Sequence, residues 1–129
     1  VDAGTAFTVD LLIDGRHQGG YILPGLALQR EALASRTARV SFPEPDWSAE
    51  SPGVNTTSCV GHGSLRALAA LVRDVLAELP ADRGGCAALI MTGGDAGRFA
   101  ALGGELRPWL ILEGLVAYHG DALSLEGRQ

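Results

Sequence analysis

The 129-residue sequence contains no lysine, so all ten of its basic residues are arginines. That excludes a Walker-type phosphate loop, Gly-x-x-x-x-Gly-Lys-Ser/Thr, whose lysine reaches the terminal phosphates. Cysteine is scarce too. Cys59 and Cys86 lie far apart and follow no Cys-x-x-Cys spacing. They read as two buried, reduced thiols of a cytosolic protein rather than as a disulfide framework or zinc site. The three histidines, His17, His62 and His119, show no metal-ligand spacing and read as surface or turn residues. No apolar run is long enough to cross a bilayer and no signal peptide is visible, so the expected location is the cytoplasm, with no membrane partner. Positive charge is outnumbered: the net charge is −5 and the pI is near 5.0. This argues against a nucleic-acid partner or a polybasic membrane patch. Internal repeats and low-complexity tracts are absent.

What remains is a chain the size of one domain, with an apolar fraction of 47%, ordinary for a globular core. Phe7 to Ile13 is β-rich and predicts a strand. Asp14-Gly15 is a hairpin signal, and His17 to Leu23 predicts the returning strand. The paired Gly19-Gly20 within it suggests a bulge, or close approach by another backbone or a ligand. Pro24-Gly25 ends the strand. Leu26 to about Arg36 is rich in helix formers, with Leu26, Arg30, Leu33 and Thr37 on one face. Arg30 and Arg36 read as solvated helix residues. From about Val40 to Val54 the chain is acidic and proline-containing, which predicts a functional or mobile loop, partly anchored by Trp47. Asn55-Thr56-Thr57-Ser58 offers several N-caps for a long helix to about Leu79, with Leu65, Leu68, Ala69, Val72, Leu76 and Leu79 as its apolar stripe. Cys86 to Met91 predicts a buried strand that leads into Thr92-Gly93-Gly94-Asp95, with Asp95 as N-cap of a short helix over Ala96 to Leu102. Trp109 to Leu112 predicts a last strand. Gly114 to His119 predicts the start of a terminal helix, and Gly120 onward a frayed tail.

The stretch Asp2-Ala3-Gly4-Thr5-Ala6-Phe7-Thr8-Val9-Asp10 has the chemistry of a phosphate site. Gly4 has no Cβ, so a phosphate can approach the backbone N–H groups. Thr5 and Thr8 offer hydroxyl donors. Asp2 can hold a cation or a water that offsets phosphate charge. A polar hairpin turn would explain Asp-x-Gly-Thr alone; Thr8 and Asp10 in phase favour a site. Gly93 and Gly94, at a strand's carboxyl end before a helix, make room for a flat ligand or a phosphate, although a plain turn would look the same. Only Val1 precedes Asp2, where a strand of about five or six residues is expected, and the sequence does not open on Met. It therefore reads as the C-terminal portion of a longer protein.

The order of these elements is similar to one half of the actin-like, ribonuclease-H-like kinase fold. The implied fold class is α/β, a mixed central sheet flanked by helices, with residues 1–129 as the C-terminal half and the N-terminal half absent. Three motifs carry a closer resemblance. Residues Asp2 to Asp10 resemble the second phosphate motif of the bacterial type III pantothenate kinases. Gly19-Gly20-Tyr21-Ile22-Leu23-Pro24-Gly25 resembles the passage after it, and Thr92-Gly93-Gly94-Asp95-Ala96 resembles the adenosine motif.

The resemblance implies phosphorylation of pantothenate by ATP, with magnesium and an activating monovalent cation, potassium or ammonium. It implies that Asp2 holds the monovalent cation, that Gly4, Thr5 and Thr8 face the nucleotide phosphates, and that Gly93 and Gly94 pack against the adenosine. Thr56, seven residues before Gly63, matches the threonine that contacts pantothenate, with Thr57 as the alternative. A homodimer is implied, with the pantothenate pocket near the contact and the long helices as interface candidates. The Asp-x-Gly-Asn phosphate motif and the Gly-x-Asp-Arg motif that supplies the catalytic base are absent from this sequence, so the base is expected upstream of Val1 and no catalytic residue is assigned. Cys59 stands where the family commonly has a small residue. The competing readings are a non-catalytic kinase-like interaction or regulatory module, and another small-molecule kinase of the same superfamily.

Overall fold

A computed structural model of the chain describes residues 1–36, 43–45, 47, 51–79 and 87–126, the last of these as backbone alone beyond residue 119. Its first feature is an antiparallel hairpin. Strands β2 (Ala6–Ile13) and β3 (Arg16–Pro24) turn at Asp14-Gly15. Both turn residues have positive φ, 53° and 72°, the backbone that matches the right-handed twist of the flanking strands. The ladder carries a bulge: Leu11 pairs with Gly19 but Leu12 with His17, so Gln18 is the extra residue. Gly20 lies against β2, where a β-carbon would come within 2.1 Å of the Val9 carbonyl oxygen. A bulge and a close backbone approach thus both occur at the paired glycines.

Strand β1 (Asp2–Ala3) pairs antiparallel with β2. Strands β4 (Ile90–Met91) and β5 (Glu105–Leu106) pair in parallel. A parallel bridge of Asp2 with Thr92 lays β4 beside β1. There the Ala3 N–H donates to the Thr92 carbonyl at 2.8 Å and the Thr92 N–H donates to the Val1 carbonyl at 2.9 Å. The bridge thus sets the two-stranded β4-β5 sheet beside the three-stranded β1-β2-β3 sheet, in the order β3-β2-β1-β4-β5, with Asp2 on the strand at the join.

Helix α1 (Leu26–Arg36) follows β3, and helix α2 (Thr56–Glu78) supplies most of the helical core. The alternation of β2 buries Phe7 and Val9 and turns Thr8 and Asp10 to the other face. Against that buried face α2 places Leu65, Leu68, Ala69, Val72 and Val75, joined by Met91 and Phe99. Phe7 and Phe99 meet at 5.1 Å between ring centroids, within the range of favourable aromatic pairs. The anticipated stripe is shifted at its end: Val75 is buried, whereas Leu76 is only partly so. A 3₁₀ helix spans Ala96–Leu102 and α3 spans Leu110–Glu126.

Several expectations are corrected. Trp109 to Leu112 is not a strand; Leu110 already begins α3, and the last strand is Glu105–Leu106. A short apolar run looks alike in a strand and a helix. The ladder is instead carried by the residues before Pro108, with Glu105 N–H donating to the Leu89 carbonyl and Arg107 N–H to that of Met91, both at 2.8 Å. Pro108 has no N–H to extend that ladder. The helix continues through Glu126 where a frayed tail was expected. Cys59 is exposed rather than buried. His62 lies within α2, half-buried, with Nδ1 2.8 Å from the Ser51 carbonyl. Arg30 is not a freely solvated residue, since it pairs with Glu44. The strand expected from Cys86 is strand only at Ile90–Met91; Cys86 itself, Thr37, Pro80 and much of the 40–54 loop lie outside the described residues.

Candidate active site

The residues singled out at the start of the chain surround β1. Asp2 is half-buried and faces Thr8 across the antiparallel ladder. Opposed side chains share a face, so Asp2, Thr8 and Asp10 stand together on the side away from Phe7 and Val9. The Thr8 hydroxyl donates to Asp10 Oδ2 at 3.4 Å, and Asp10 Oδ1 is 3.0 Å from His17 Nε2. Gly4 and Thr5 turn the chain into β2. The Gly4 N–H donates to the Ala6 carbonyl at 3.1 Å, and the Thr5 carbonyl accepts the Gly25 N–H at 2.8 Å. With these groups engaged, the turn offers the exposed Thr5 side chain and the open side of Gly4, where a β-carbon would meet nothing nearer than Asp2 Oδ1 at 3.4 Å.

The second glycine motif, more than eighty residues away in sequence, lands on the same strand. After Thr92, Gly93 adopts φ +94°, and a β-carbon on it would fall 2.4 Å from Asp2 Oδ1 and 2.5 Å from the Ala3 carbonyl oxygen. Only glycine suits both that backbone and that approach. The Asp95 N–H then donates to the Ala3 carbonyl at 2.9 Å, which pins the turn to β1. Gly94 differs from its neighbour: it is exposed, with no atom within 4 Å of where a β-carbon would be. Asp95 does not cap the following helix with its side chain; its Oδ1 instead accepts Arg98 Nε at 2.8 Å.

That ion pair belongs to a network the sequence did not reveal. The Arg98 guanidinium lies 5.1 Å from the centre of the Trp47 ring, a cation–π distance. The Trp47 indole N–H donates to Glu44 Oε1 at 2.8 Å, and Glu44 Oε2 receives Arg30 Nη1 of α1. The indole hydrogen bond, followed by the Arg30 and Arg98 charges, holds the Glu44 carboxyl below the usual carboxylate range. Only the i,i+3 spacing of Asp95 and Arg98 was visible in the sequence; Glu44 and Trp47 join through tertiary packing.

Thr56 stands elsewhere. Asn55 is the N-cap of α2, in a reciprocal capping box with Ser58, so Thr56 is the first helical residue. It lines a groove of about 400 Å³ between α1 and α2, with Gln29, Leu33, Cys59 and Gly63. Thr57, the alternative substrate contact, is not part of that lining. The structure thus gathers Asp2, Gly4, Thr5, Thr8, Gly93 and Gly94 around β1 and leaves Thr56 in a groove of its own. A cavity of about 570 Å³ between β2 and β4 is lined by Asp2, Thr8 and Asp10 on its polar side and by Val72, Val75 and Leu89 on its apolar side. Among the described residues, no three His, Cys, Asp or Glu side chains converge as a metal cluster, and no helix is long and apolar enough to cross a membrane. Asp2 itself offers a carboxylate, a hard oxygen donor that suits a hard cation rather than a thiolate- or imidazole-loving metal.

Comparison with known proteins gives a consistent picture. A family model described as type III pantothenate kinase matches residues 1–78. A type III pantothenate kinase of Marinobacter nauticus is 43% identical over 117 residues, covering 90% of this chain and 46% of that protein. One from Acinetobacter baylyi is 37% identical over 122 residues, covering 92% of this chain and 48% of that protein. The chain therefore spans about half the length of these curated relatives. A crystal structure from Campylobacter jejuni, described as a Baf family transcriptional activator, superposes with a TM-score of 0.70 at 23% identity, over 95% of this chain and 57% of that one. At that identity the likeness bears on fold alone.

Proposed function

The chain belongs to the type III pantothenate kinase family, and from that premise we propose that it supplies one half of a site that transfers a phosphoryl group from ATP to the primary hydroxyl of pantothenate. The observation that carries the reading is the convergence of Asp2-Ala3-Gly4-Thr5 and Gly93-Gly94 on β1, sealed by the Asp95 N–H on the Ala3 carbonyl. Two glycine turns meeting beside a carboxylate and exposed hydroxyls suit a nucleotide polyphosphate. The strand order β3-β2-β1-β4-β5, with helices packed on it, supports a ribonuclease-H-like, actin-like half, with residues 1–129 as the C-terminal half of a two-domain kinase.

In this reading catalysis is positioning and charge neutralisation. The Thr5 hydroxyl donates to a nucleotide phosphate oxygen, and Gly4 leaves room for that oxygen to approach. Thr8 would turn its hydroxyl from Asp10 toward the same group. Gly93 and Gly94 lie under the adenosine, Gly94 with its open side outward. Asp2 holds a monovalent cation, potassium or ammonium, which when bound supplies positive charge beside the phosphates; magnesium enters with ATP. Thr56 contacts pantothenate from the α1–α2 groove. The base that takes the hydroxyl proton is assigned to no residue of this chain. A cytoplasmic homodimer with the long helices near its contact completes the proposal.

The test uses the full-length protein with ATP, magnesium, potassium and pantothenate, following phosphopantothenate by mass spectrometry. Formation is expected, and Asp2→Asn should weaken activation by potassium while leaving the fold intact. Absence of product, or a rate whose potassium dependence Asp2→Asn leaves unchanged, would overturn the function or the Asp2 assignment respectively.

A further inference from the structure

A chain of side-chain contacts runs from α1 to β1 through residues to which the proposed chemistry gives no role. Arg30 of α1 pairs with Glu44. Glu44 accepts the Trp47 indole N–H at 2.8 Å, and its Oε1 lies 4.0 Å from Arg98 Nη2. The Trp47 ring, only 9% exposed, sits beneath the Arg98 guanidinium. Arg98 in turn grips Asp95, whose N–H is bonded to Ala3 between Asp2 and Gly4. The Gly93–Asp95 turn is thus held from two sides: by the β1 backbone and by a guanidinium that is itself fixed by an aromatic face and two carboxylates.

A guanidinium with this many partners is far more restricted than a surface arginine in an isolated ion pair, which contributes little. The consequence falls on the turn. Gly94 is exposed and a β-carbon on it would meet no atom within 4 Å, so its outer face is open, whereas Asp95 immediately after it is tied to Arg98. We propose that Glu44, Trp47 and Arg98 form a clasp that positions the Gly93–Asp95 turn and so sets the affinity of the site for the base and ribose end of a nucleotide. These are positioning residues that act through Asp95. The inference rests on the reading that Gly93 and Gly94 lie under the adenosine.

The experiment measures steady-state KM for ATP and for pantothenate in full-length protein carrying Glu44→Gln, Trp47→Ala, Trp47→Phe or Gly94→Ala. The clasp variants Glu44→Gln and Trp47→Ala should raise KM for ATP about tenfold and leave that for pantothenate within about twofold. Trp47→Phe keeps a ring under Arg98 and should recover much of the loss. Should Trp47→Ala fail to fold, Glu44→Gln, with its side chain 62% exposed, carries the test alone. If Gly94→Ala raises KM for ATP and the clasp variants do not, the clasp is overturned and the adenosine reading stands. If Gly94→Ala also leaves KM for ATP unchanged, the adenosine reading falls and takes the clasp with it. Equal rises for both substrates would reduce the network to a general structural role and overturn the inference.

Discussion

At the scale of single residues, neighbouring glycines have opposite reasons to be glycine. Gly93 is demanded by the protein itself, because its φ is +94° and a β-carbon would strike Asp2 and Ala3. Gly93→Ala should therefore destabilise the fold, with backbone strain alone contributing about 1–3 kcal/mol, read as a lowered denaturant midpoint. A β-carbon on Gly94 would meet nothing within 4 Å. Gly94→Ala should leave that midpoint unchanged while raising KM for ATP, since only a ligand would meet the added methyl. Glu44 supplies a pH dependence. Its carboxyl is held below the usual range first by the Trp47 indole and then by Arg30 and Arg98. A depressed folded-state pKa adds stability that is present above the unfolded value, about 4.3, and is lost as pH falls through the folded one. Trp47 fluorescence should accordingly change on acidification below that unfolded value, and Glu44→Gln should remove that component. An acid limb identical in the two proteins would refute the assignment.

At the scale of elements, the start of α2 separates capping from substrate contact. Asn55 accepts the Ser58 N–H at 2.9 Å, and the Asn55 N–H donates to the Ser58 hydroxyl at 3.2 Å. Asn55→Ala should therefore cost about 1 kcal/mol of stability. Thr56 is exposed and caps nothing, so Thr56→Val should leave the melting temperature nearly unchanged and raise KM for pantothenate; unchanged kinetics would remove Thr56 from the site. This start was legible in the sequence as a cluster of cap residues, but which of them capped was not, because Ser, Thr and Asn are near-equivalent in that role. The β2–β3 hairpin was legible because Asp14-Gly15 and the alternation of Phe7, Val9 and Thr8 each point the same way. The strand at Glu105–Leu106 was not, because it is two residues long, exposed and polar at Glu105, and its pairing is decided by β4 fifteen residues earlier. The neighbouring Trp109–Leu112 run carried the stronger apolar signal and drew the strand assignment. Of the candidate site, the glycines and threonines could be read from their motifs, whereas the clasp of Glu44, Trp47 and Arg98 depends on long-range contacts that no local spacing encodes.

At the scale of the whole molecule, the candidate phosphate and adenosine residues lie around one strand, and in the proposed reading they contact the nucleotide from that side. Phosphoryl transfer needs the attacking oxygen, the phosphorus and the leaving oxygen held roughly in line, and a ligand gripped from one side retains rotational freedom that lowers the rate steeply. The chain spans about half the length of its curated relatives, and the Gly-x-Asp-Arg motif that the family resemblance associates with the catalytic base does not occur in its sequence. The 129-residue chain alone, supplied with ATP, magnesium, potassium and pantothenate, should therefore form no phosphopantothenate under conditions in which the full-length protein does. Mass spectrometry of the product reads the outcome directly. Sustained turnover by this chain, abolished by Thr5→Val so that a contaminating kinase is ruled out, would place the base within these residues. Asp10, held by His17 beside Thr8 and on the same face as Asp2, would then be the carboxylate to replace first.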